Sequence, residues 1–337
     1  MWRMNKSALV SIIISNYNYG SYLGAAIESS LAQTYCNIEV IVVDDGSTDN
    51  SREIINRYGT HIIPVLKDNG GQASSINVGF SMSKGELIFF LDADDMLESK
   101  AVETVINEWR DGVARILFPL EVIDKSGRPL GQMVGGTALP SPLLGPFGVG
   151  SPTSGNAFSR RALEKILPMP AVGWSVSPDF YLIASGLFGE VGCLRKPLGK
   201  YRIHGANNVA CADSLEVIRN RLFLDVRLHD LLFRLMEGKV GSLEQWLSGC
   251  PEHWIRRIIS LREGPCDHPW QDTILRLIVQ AVESTWRQPN RNIRRRLAYS
   301  VFAVGYGVAP RKIINFMRQI DTGERGRGLR KFLGARI

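Results

Sequence analysis

The sequence predicts an α/β fold, in which a mostly parallel sheet is flanked by helices and followed by a helical C-terminal extension. Apolar runs rich in β-branched residues alternate with segments of helical spacing over the first hundred residues. These runs show no polar alternation, so we expect strands buried on both faces, as in a parallel sheet covered by helices. Beyond residue 214 the apolar spacing is helical, with Gly and Pro separating successive segments.

Each element of the sheet domain follows from its own local pattern. Strands are predicted where the chain is continuously apolar, at residues 9–14, 38–43, 61–66 and 87–91. Helices are predicted where apolar residues recur every three or four positions, at residues 21–33, 51–58 and 71–82. Ligands bind beyond the carboxyl ends of the strands in open sheets, so the loops after Ile14, Val43 and Leu91 should carry the chemistry.

The middle of the chain is less regular. Residues 125–155 are rich in Gly, Pro and Ser, which predicts a long loop with a functional role. Regular patterns resume at residues 160–166 and 179–188. Five C-terminal helices are predicted, at residues 214–237, 251–262, 270–286, 291–303 and 310–319. We therefore expect one domain over residues 1–210 and a helical, basic region over residues 211–337.

Composition and charge narrow the functional classes. The 337 residues are 45% hydrophobic and 22% charged, which is typical of globular proteins and excludes wholesale disorder. Residues 285–337 carry 13 Lys and Arg against two acidic residues, a net charge of +11, so residues 1–284 sum to −4 within the total of +7. Because the body of the protein is slightly acidic, we expect no nucleic-acid partner.

The cysteines and the apolar runs bear on the cellular compartment. Five cysteines at irregular spacing indicate no disulfide framework, and a reducing cytoplasm fits best. The N-terminal apolar stretch is short and lacks a cleavage-site pattern, so we expect no signal peptide. No apolar run approaches the ~20 residues of a spanning helix. We therefore predict a cytoplasmic protein, with the inner face of the plasma membrane as a second location.

Paired acidic residues follow the second predicted strand. Asp44 and Asp45 precede Gly46 and Ser47, which places a carboxylate beside the start of the next helix. A carboxylate at this position can accept hydrogen bonds from the N–H groups of a ligand such as a nucleotide base. Turn and helix-capping chemistry explains the same residues, and the motif alone leaves both interpretations open.

A second acidic group follows the fourth predicted strand. Asp92 and Asp94 are two residues apart in extended chain, so both side chains leave the same face. That spacing can hold one hard divalent cation, and Mg²⁺ takes one or two carboxylates together with substrate phosphates. A solvated acidic turn is the alternative. The metal is favoured, because Asp92, Asp94 and Asp95 would repel one another without a cation.

Together with further segments, the two acidic motifs resemble the family 2 inverting glycosyltransferases, which have the GT-A fold. The supporting segments are SIIISNYN at 11–18, NGGQASSINVG at 69–79, SGNAF at 154–158 with Arg160 and Arg161, WSVSPD at 174–179, Gly189, and LGKYRIHG at 198–205. The resemblance covers about residues 8–208 and does not reach residues 213–337. It implies a GT-A catalytic domain over residues 1–210, with a nucleotide-binding sheet.

The resemblance also implies the reaction. It is the inverting transfer of a sugar from a nucleoside diphosphate sugar, foremost a UDP-sugar, to a hydroxyl of a glycan or a lipid-linked glycan. Such an enzyme would be of the hexosyltransferase type and would act in polysaccharide biosynthesis. The donor-nucleotide residues would be Ser15, Tyr17, Asp44, Asp45, Asn69 and Gln72. Of the two acids in this set, Asp45 is preferred to Asp44 as the residue that holds the base.

Catalytic and metal-binding roles follow from the same resemblance. Asp92 and Asp94 would hold Mg²⁺ or Mn²⁺ on the diphosphate, and His204 would complete these contacts as a neutral imidazole unless its role is structural. Asp179 is the candidate general base that inversion requires on the far side of the sugar. Many relatives have an acidic pair here, whereas Pro178 precedes a single Asp179, which also fits a helix N-cap.

The C-terminal region interleaves aliphatic, aromatic and arginine residues. Leu297, Tyr299, Val301 and Phe302 show this pattern, and it continues at residues 313–316. One interpretation is a set of helices packed on the catalytic domain with solvated arginines. The other is peripheral attachment to an anionic membrane surface, which attracts nearby Lys and Arg. The sequence leaves both interpretations open.

Two other functional classes remain as alternatives. A nucleotidyltransferase also combines a parallel sheet with Mg²⁺ carboxylates, but it normally needs a basic, Gly-rich loop for a triphosphate, and none follows the first predicted strand. A non-catalytic subunit that binds a sugar nucleotide is the other class. The presence of Asp92, Asp94 and Asp179 argues against that subunit.

Overall fold

The computed structural model describes residues 7–136, 151–170, 178–204, 215–264, 272–287 and 293–309. The described residues up to 204 belong to one compact unit, and those from 215 onward belong to a second. The domain boundary expected near residue 210 lies outside the described residues, as does the helix predicted at 310–319. In the described part of the chain, no helix is both long and apolar enough to cross a membrane.

Strands and helices alternate through the first unit, and the second unit is helical. The strands within the described ranges are β1 (Val10–Asn16), β2 (Ile38–Asp45), β3 (Ile63–Lys67), β4 (Leu87–Asp92), β5 (Met96–Leu97), β6 (Val113–Leu117), β7 (Pro119–Asp124), β8 (Pro129–Gly135), β9 (Asn156–Ser159), β10 (Glu190–Cys193) and β11 (Gly199–Ile203). The helices are α1 (Gly20–Leu31), α2 (Ser51–Arg57), α3 (Gln72–Met82), α4 (Ala101–Glu108), α5 (Arg160–Leu163), α6 (Pro178–Leu182), α7 (Leu215–Leu235), α8 (Leu243–Leu247), α9 (Pro251–Arg262), α10 (Ile274–Arg287) and α11 (Ile293–Val308). The predicted α/β fold with a C-terminal helical extension is confirmed.

The larger sheet has seven strands in the order β10-β6-β9-β4-β1-β2-β3. The pairs β4–β1, β1–β2, β2–β3 and β10–β6 are parallel. Strand β9 runs antiparallel to both of its neighbours, β4 and β6. The sheet is therefore mostly parallel, as predicted, and the four strands expected from the first hundred residues form one continuous half of it.

Strand β1 shows why polar alternation is missing from these runs. Ile12 and Ile14 belong to a buried apolar cluster that includes Leu23 of α1. Successive side chains of a strand point to opposite faces, so Ile13 faces the other side of the sheet, where α3 lies. A Cβ added at Gly79 of α3 would lie 2.3 Å from Ile13 Cγ2, so this helix comes close to the sheet only because residue 79 is glycine.

The smaller sheet corrects one expectation from the sequence. Its order is β5-β11-β7-β8, and β8 pairs antiparallel with β7. The loop expected over residues 125–155 therefore contains a strand, and residues 137–150 lie outside the described part of the chain. Five of the seven residues of β8 are exposed. Main-chain hydrogen bonds, and not apolar burial, hold this strand in place, so it leaves no hydrophobic pattern in the sequence.

Within the described residues the predicted helices are present, but α4 and α8 were not predicted. Helices α7, α9, α10 and α11 lie where the sequence predicts them. Helix α8 is missed because it has only five residues, and it begins with a capping box between Ser242 and Gln245. The helix expected over residues 179–188 is divided, since α6 ends at Leu182 and a 3-10 turn follows over Ile183–Leu187.

Candidate active site

Three strands of the larger sheet end side by side. Ser15, near the end of β1, lies opposite Val43 of β2 and opposite Asp92 of β4. Because these strands are parallel, the loops that follow them meet at one edge of the sheet. The acidic motifs at residues 44–45 and 92–95, which are far apart in sequence, are therefore brought to the same edge.

Asp44 is fully buried and ties the first two loops together. One carboxylate oxygen accepts a hydrogen bond from Asn16 Nδ2 at 2.9 Å, and the other accepts from the backbone N of Ser47 at 3.1 Å. Arg52 Nε donates to the second oxygen at 3.0 Å. Both oxygens of Asp44 are thus engaged by the chain itself, which makes Asp44 a support for the loops after β1 and β2.

Asp45 is 3% exposed and organises the segment that follows β3. Its two carboxylate oxygens accept hydrogen bonds from the backbone N of Gly70 at 2.9 Å and of Gly71 at 2.7 Å. Lys67 Nζ forms an ion pair with the same carboxylate. Asn69 Nδ2 donates to the main-chain oxygen of Asp45 at 3.0 Å, which places Asn69 beside the end of β2.

The remaining predicted donor residues lie at two places along the same edge. Tyr17 follows β1 directly and is 46% exposed. Gln72 begins α3, and its Nε2 donates to Asp92 Oδ1 at 2.6 Å. Gln72 therefore connects the segment held by Asp45 to the acidic group after β4, and its side chain contacts one of the predicted metal ligands.

Asp92 ends β4 in a crowded, negatively charged environment. Its backbone N donates to Ser154 Oγ at 3.1 Å, which joins β4 to the turn before β9. Burial, followed by the negative charges of Asp94 and Asp179, raises the pKa of Asp92 to about 8. A carboxyl with this pKa keeps its proton at neutral pH, and a bound cation would favour its ionised form.

His204 follows β11 and reaches this acidic group. Its Nε2 lies 2.9 Å from Asp94 Oδ2. The imidazole stacks on Tyr22 with ring centroids 4.8 Å apart, and it meets the edge of Tyr19 at 5.4 Å. Burial, together with the charges of the nearby aspartates, raises the pKa of Tyr19 to about 12, so this hydroxyl keeps its proton at neutral pH.

Asp95 joins three segments of the site and is 1% exposed. It accepts hydrogen bonds from Ser154 Oγ at 2.6 Å and from the backbone N of Arg202 at 2.9 Å. Arg202 Nε in turn donates to the main-chain oxygen of Asp94 at 2.9 Å, and its guanidinium lies 5.0 Å from the Tyr22 ring. Burial and the neighbouring aspartates raise the pKa of Asp95 well above its usual range.

A divalent cation fits the chemistry of this group. Asp92 and Asp94 offer hard oxygen ligands, and burial beside Asp94 raises the pKa of Asp92. Within the described ranges, no three carboxylate, imidazole or thiol groups converge in a geometry suited to a metal. Mg²⁺ is commonly held by one or two carboxylates, with water and substrate phosphates as the other ligands, and such a site needs no third protein ligand.

Asp179 lies in the first turn of α6 and within electrostatic reach of the acidic group. Its charge raises the pKa of Asp92, and it opposes the fall to about 10 that burial causes in the pKa of Arg115. Arg115 is 3% exposed and donates to Asn156 Oδ1 through Nε at 2.9 Å and Nη2 at 2.6 Å. Trp174, which the sequence places near Asp179, lies outside the described residues.

Sequence reasoning alone gives no role to several residues of this site. They are Asn16, Tyr19, Tyr22, Asp95, Arg115, Ser154, Asn156 and Arg202. Some signals for them exist. Arg115 interrupts the apolar run of β6, and a charged residue in a buried strand indicates a specific partner. Ser154 and Arg202 stand inside the segments that carry the family resemblance.

Comparisons with known proteins agree with these segments. The family model for glycosyl transferase family 2 matches residues 11–166. An uncharacterized glycosyltransferase of Nostoc sp. is 35% identical over 248 residues, which cover 68% of this chain and 77% of the relative. Glycosyltransferase GlyG of Streptococcus pneumoniae is 40% identical over 116 residues, which cover 33% of this chain but only 38% of GlyG.

Solved structures show a similar fold. The crystal structure of S. aureus TarS superposes with a TM-score of 0.51 at 18% identity, covering 88% of this chain and 53% of TarS. The complex of TarS 1–349 with UDP-GlcNAc gives a TM-score of 0.51 at 15% identity, covering 89% of each chain. The fold is therefore similar to that of GT-A glycosyltransferases such as TarS, as the sequence resemblance implies.

Proposed function

Because the chain belongs to glycosyltransferase family 2, we propose that this enzyme transfers a sugar, with inversion, from a nucleoside diphosphate sugar to a hydroxyl of a glycan or a lipid-linked glycan. Membership rests on the Nostoc relative, at 35% identity over 77% of its length, and it makes the chain a glycosyltransferase. A UDP-sugar is the proposed donor, which the fold likeness to TarS solved with UDP-GlcNAc supports.

The observation that carries the proposal is the crowding of Asp92, Asp94 and Asp95 at the edge where β1, β2 and β4 end. A nucleoside diphosphate is itself an anion, so it would not bind beside uncompensated carboxylates without a cation between them. Burial, and then the charges of Asp94 and Asp179, raise the pKa of Asp92, which supports a site whose positive charge comes from outside the chain. A metal-bridged diphosphate satisfies both requirements.

We infer that the nucleotide lies along the loops after β1, β2 and β3. Asp44 and Asp45 hold these loops in register through main-chain N–H groups, which leaves the loops with a fixed shape before the donor arrives. A site fixed in advance loses less conformational entropy on binding. The proposed donor-nucleotide residues are Ser15, Tyr17, Asp44, Asp45, Asn69 and Gln72.

Mg²⁺ or Mn²⁺ would be held by Asp92 and Asp94, with His204 beside Asp94. When bound, the cation neutralises charge that builds up on the leaving diphosphate. The chain keeps both ligands in place from behind: Gln72 fixes the Asp92 carboxylate, and Arg202 fixes the main chain at Asp94.

Asp179 is the proposed general base. An acceptor hydroxyl attacks poorly unless its proton is taken as the new bond forms, and a positioned base contributes typically 10²–10⁴-fold. Asp179 lies on the acceptor half, within electrostatic reach of Asp92 and of the cation of Arg115. A nearby guanidinium favours the ionised carboxylate, which is the form that accepts a proton.

We also propose the division and the location of the chain. Residues 1–210 would form the catalytic domain and residues 211–337 a helical, basic region, in line with the two compact units. The cytoplasm is the proposed compartment, with the inner face of the plasma membrane as a second location, and the irregular spacing of the five cysteines supports it.

Product analysis tests the reaction class. The full-length protein is incubated with UDP-sugars and Mn²⁺, and released nucleotides are separated by ion-exchange chromatography. Release of nucleoside diphosphate supports the proposal, because glycosyl transfer breaks the bond between the sugar and the diphosphate. A parallel reaction with UTP and a sugar 1-phosphate tests the alternative, because a nucleotidyltransferase would join these two and release pyrophosphate. A thermal-shift panel of nucleotide sugars with Mn²⁺ identifies the donor beforehand.

A further inference from the structure

Helix α11 exposes a continuous apolar stripe. At 100° per residue, five of its exposed apolar positions fall within an arc of about 80° on one side of the helix. They are 44–68% exposed: Ile293, Leu297, Val301, Val304 and Val308. The stripe is about 22 Å long, at 1.5 Å per residue. A helix face of this length that is apolar at every position does not help to keep the protein in solution.

The opposite side of α11 already supplies the packing of the helical unit. Ala298, Tyr299, Ala303 and Tyr306 are at most 7% exposed. Tyr299, which the sequence grouped with the outer apolar residues, is therefore part of the core, and its hydroxyl donates to Glu252 Oε1 at 2.9 Å. The exposed stripe is consequently a second apolar face that the fold of this unit does not use.

Helix α10 widens this surface. Leu275, Val279 and Trp286 follow one another at four and seven residues on one face of α10 and are 43–73% exposed. The two helices are neighbours, since a Cβ added at Gly307 would meet Ile278 Cδ1 at 2.2 Å. At the other end of the pair, the guanidinium of Arg296 lies 5.7 Å from the Trp286 ring. We call the two exposed faces together the α10–α11 face.

Charge decides which partner fits this face. Residues 285–337 carry 13 Lys and Arg against two acidic residues, so the apolar stripe stands in a segment with a net charge of +11. A second copy of the chain would bring the same positive charge to the same face, and the two would repel. An anionic lipid surface offers both an apolar interior for the stripe and negative headgroups for the arginines.

We propose that the α10–α11 face docks the enzyme on an anionic lipid bilayer, with the apolar stripes inserted among the headgroups and the arginines in contact with acidic lipids. The proposal does not depend on the catalytic roles given above, because every residue of the face lies in the helical unit. The sequence left two interpretations of the basic region open, packed helices or membrane attachment. This proposal favours membrane attachment and assigns it to a defined surface.

Vesicle flotation with the full-length protein tests the face. The probes are vesicles of phosphatidylcholine alone and vesicles of phosphatidylcholine with phosphatidylglycerol. The test variant is Leu297→Ser/Val301→Ser, and Val301→Ser alone is a milder second variant. Leu130→Ser is the matched control, since Leu130 is 45% exposed but lies on β8 in the other unit. Melting temperature and donor-induced thermal shift check that each variant is folded.

Wild type and Leu130→Ser are expected to float with the anionic vesicles, with binding that weakens as salt is raised. Leu297→Ser/Val301→Ser should partition at least tenfold less, and binding to neutral vesicles should be weak for all. The proposal is overturned if wild type fails to bind the anionic vesicles. It is also overturned if both stripe variants bind these vesicles as strongly as wild type does. A dimer, detected by sedimentation equilibrium, that the stripe variants abolish overturns it as well, because the face would then pair two copies.

Discussion

Two buried acidic groups of this protein differ in how their charge is compensated. In the first unit, Asp92 lies beside Asp94 and Asp95, and burial and its neighbours raise its pKa to about 8. In the second unit, Asp225 is 1% exposed, but its carboxylate lies 2.7 Å from His253 Nδ1. Arg256 adds a cation at 3.7 Å from the same carboxylate.

We propose that the difference separates a structural acid from an acid kept for a ligand. A buried charge with partners from its own chain satisfies its hydrogen bonds and helps to fix the fold. A buried group of like charges lowers stability and persists only where function requires it. We therefore expect substitutions in the first group to change binding and turnover, and substitutions in the second group to change the free energy of unfolding.

The largest expected effect lies beside the first group, at Asp179. Asp179→Asn keeps the size and much of the capping ability of the side chain but removes its basicity. Turnover should fall by at least ~100-fold, while donor affinity and melting temperature barely change. Steady-state kinetics measures turnover, and calorimetry measures donor affinity and melting temperature. Glu164→Gln, an exposed acid on the same unit, is the control and should leave turnover unchanged.

Near-normal turnover of Asp179→Asn would show that this residue only caps α6 and that the base lies elsewhere. A large fall in the melting temperature of this variant would instead show that Asp179 is a structural acid, as Asp225 is.

In the second group, Asp225→Asn should destabilise the helical unit by about 1.5–3 kcal/mol, the usual contribution of a hydrogen bond to a charged group. Urea unfolding followed by far-ultraviolet circular dichroism measures this loss. Asp230→Asn is the control, because Asp230 lies on the same helix with its side chain 63% exposed, and it should change stability by less than ~0.5 kcal/mol. Equal stability of the two variants would contradict the structural role of Asp225.

A smaller effect is expected from Asp94→Asn, with opposite consequences for binding and stability. Nucleoside diphosphate affinity with Mn²⁺ should fall about tenfold, or ~1.4 kcal/mol, because one oxygen ligand loses its charge. The melting temperature in EDTA should stay the same or rise, since a repulsive charge near Asp92 is removed. Titration calorimetry tests binding. If wild type binds the diphosphate equally well in EDTA and in Mn²⁺, no cation bridges it.

The smallest effects are expected from pH, and they should have opposite signs in the two units. Burial lowers the pKa of His253, so the unfolded chain takes up a proton on this residue more readily than the folded chain does. The helical unit should therefore be stable above the unfolded pKa of about 6.5 and lose stability as the pH falls below it. Hydrogen exchange in α9 should accelerate accordingly.

Asp92 should act in the other direction when EDTA is present. Its folded pKa of about 8 is above the unfolded value of about 3.9, so its contribution is greatest at low pH and is lost as the pH rises toward 8. Hydrogen exchange in β4 reports on this group, and Asp92→Asn should remove the trend. The same pH dependence in β4 and α9 would contradict the difference between the two acidic groups.

The sequence by itself determined the elements whose signal is local. Apolar runs identified β1, β2 and β4, because a strand covered on both faces needs few polar residues. A run also identified β3, although this strand lies at the edge of the sheet and its residues are half-buried or exposed. Helical spacing identified α7, α9, α10 and α11, because a helix that is buried on one face has apolar residues at every third or fourth position. The short spacing of Asp92 and Asp94, and the pair Asp44 and Asp45, marked the correct edge of the sheet, since the topology of a parallel sheet brings strand ends together.

Only the tertiary structure decided which acids are engaged by the chain. Asp45 reads as a ligand contact in the sequence, yet Gly70 and Gly71, some 25 residues away, donate to it. Arg202 meets Asp95 across 107 residues. Such hydrogen bonds depend on how distant segments come together, and no periodicity records them. The same holds for α11, where spacing shows an apolar helix but only packing decides that Tyr299 turns inward and Val301 outward.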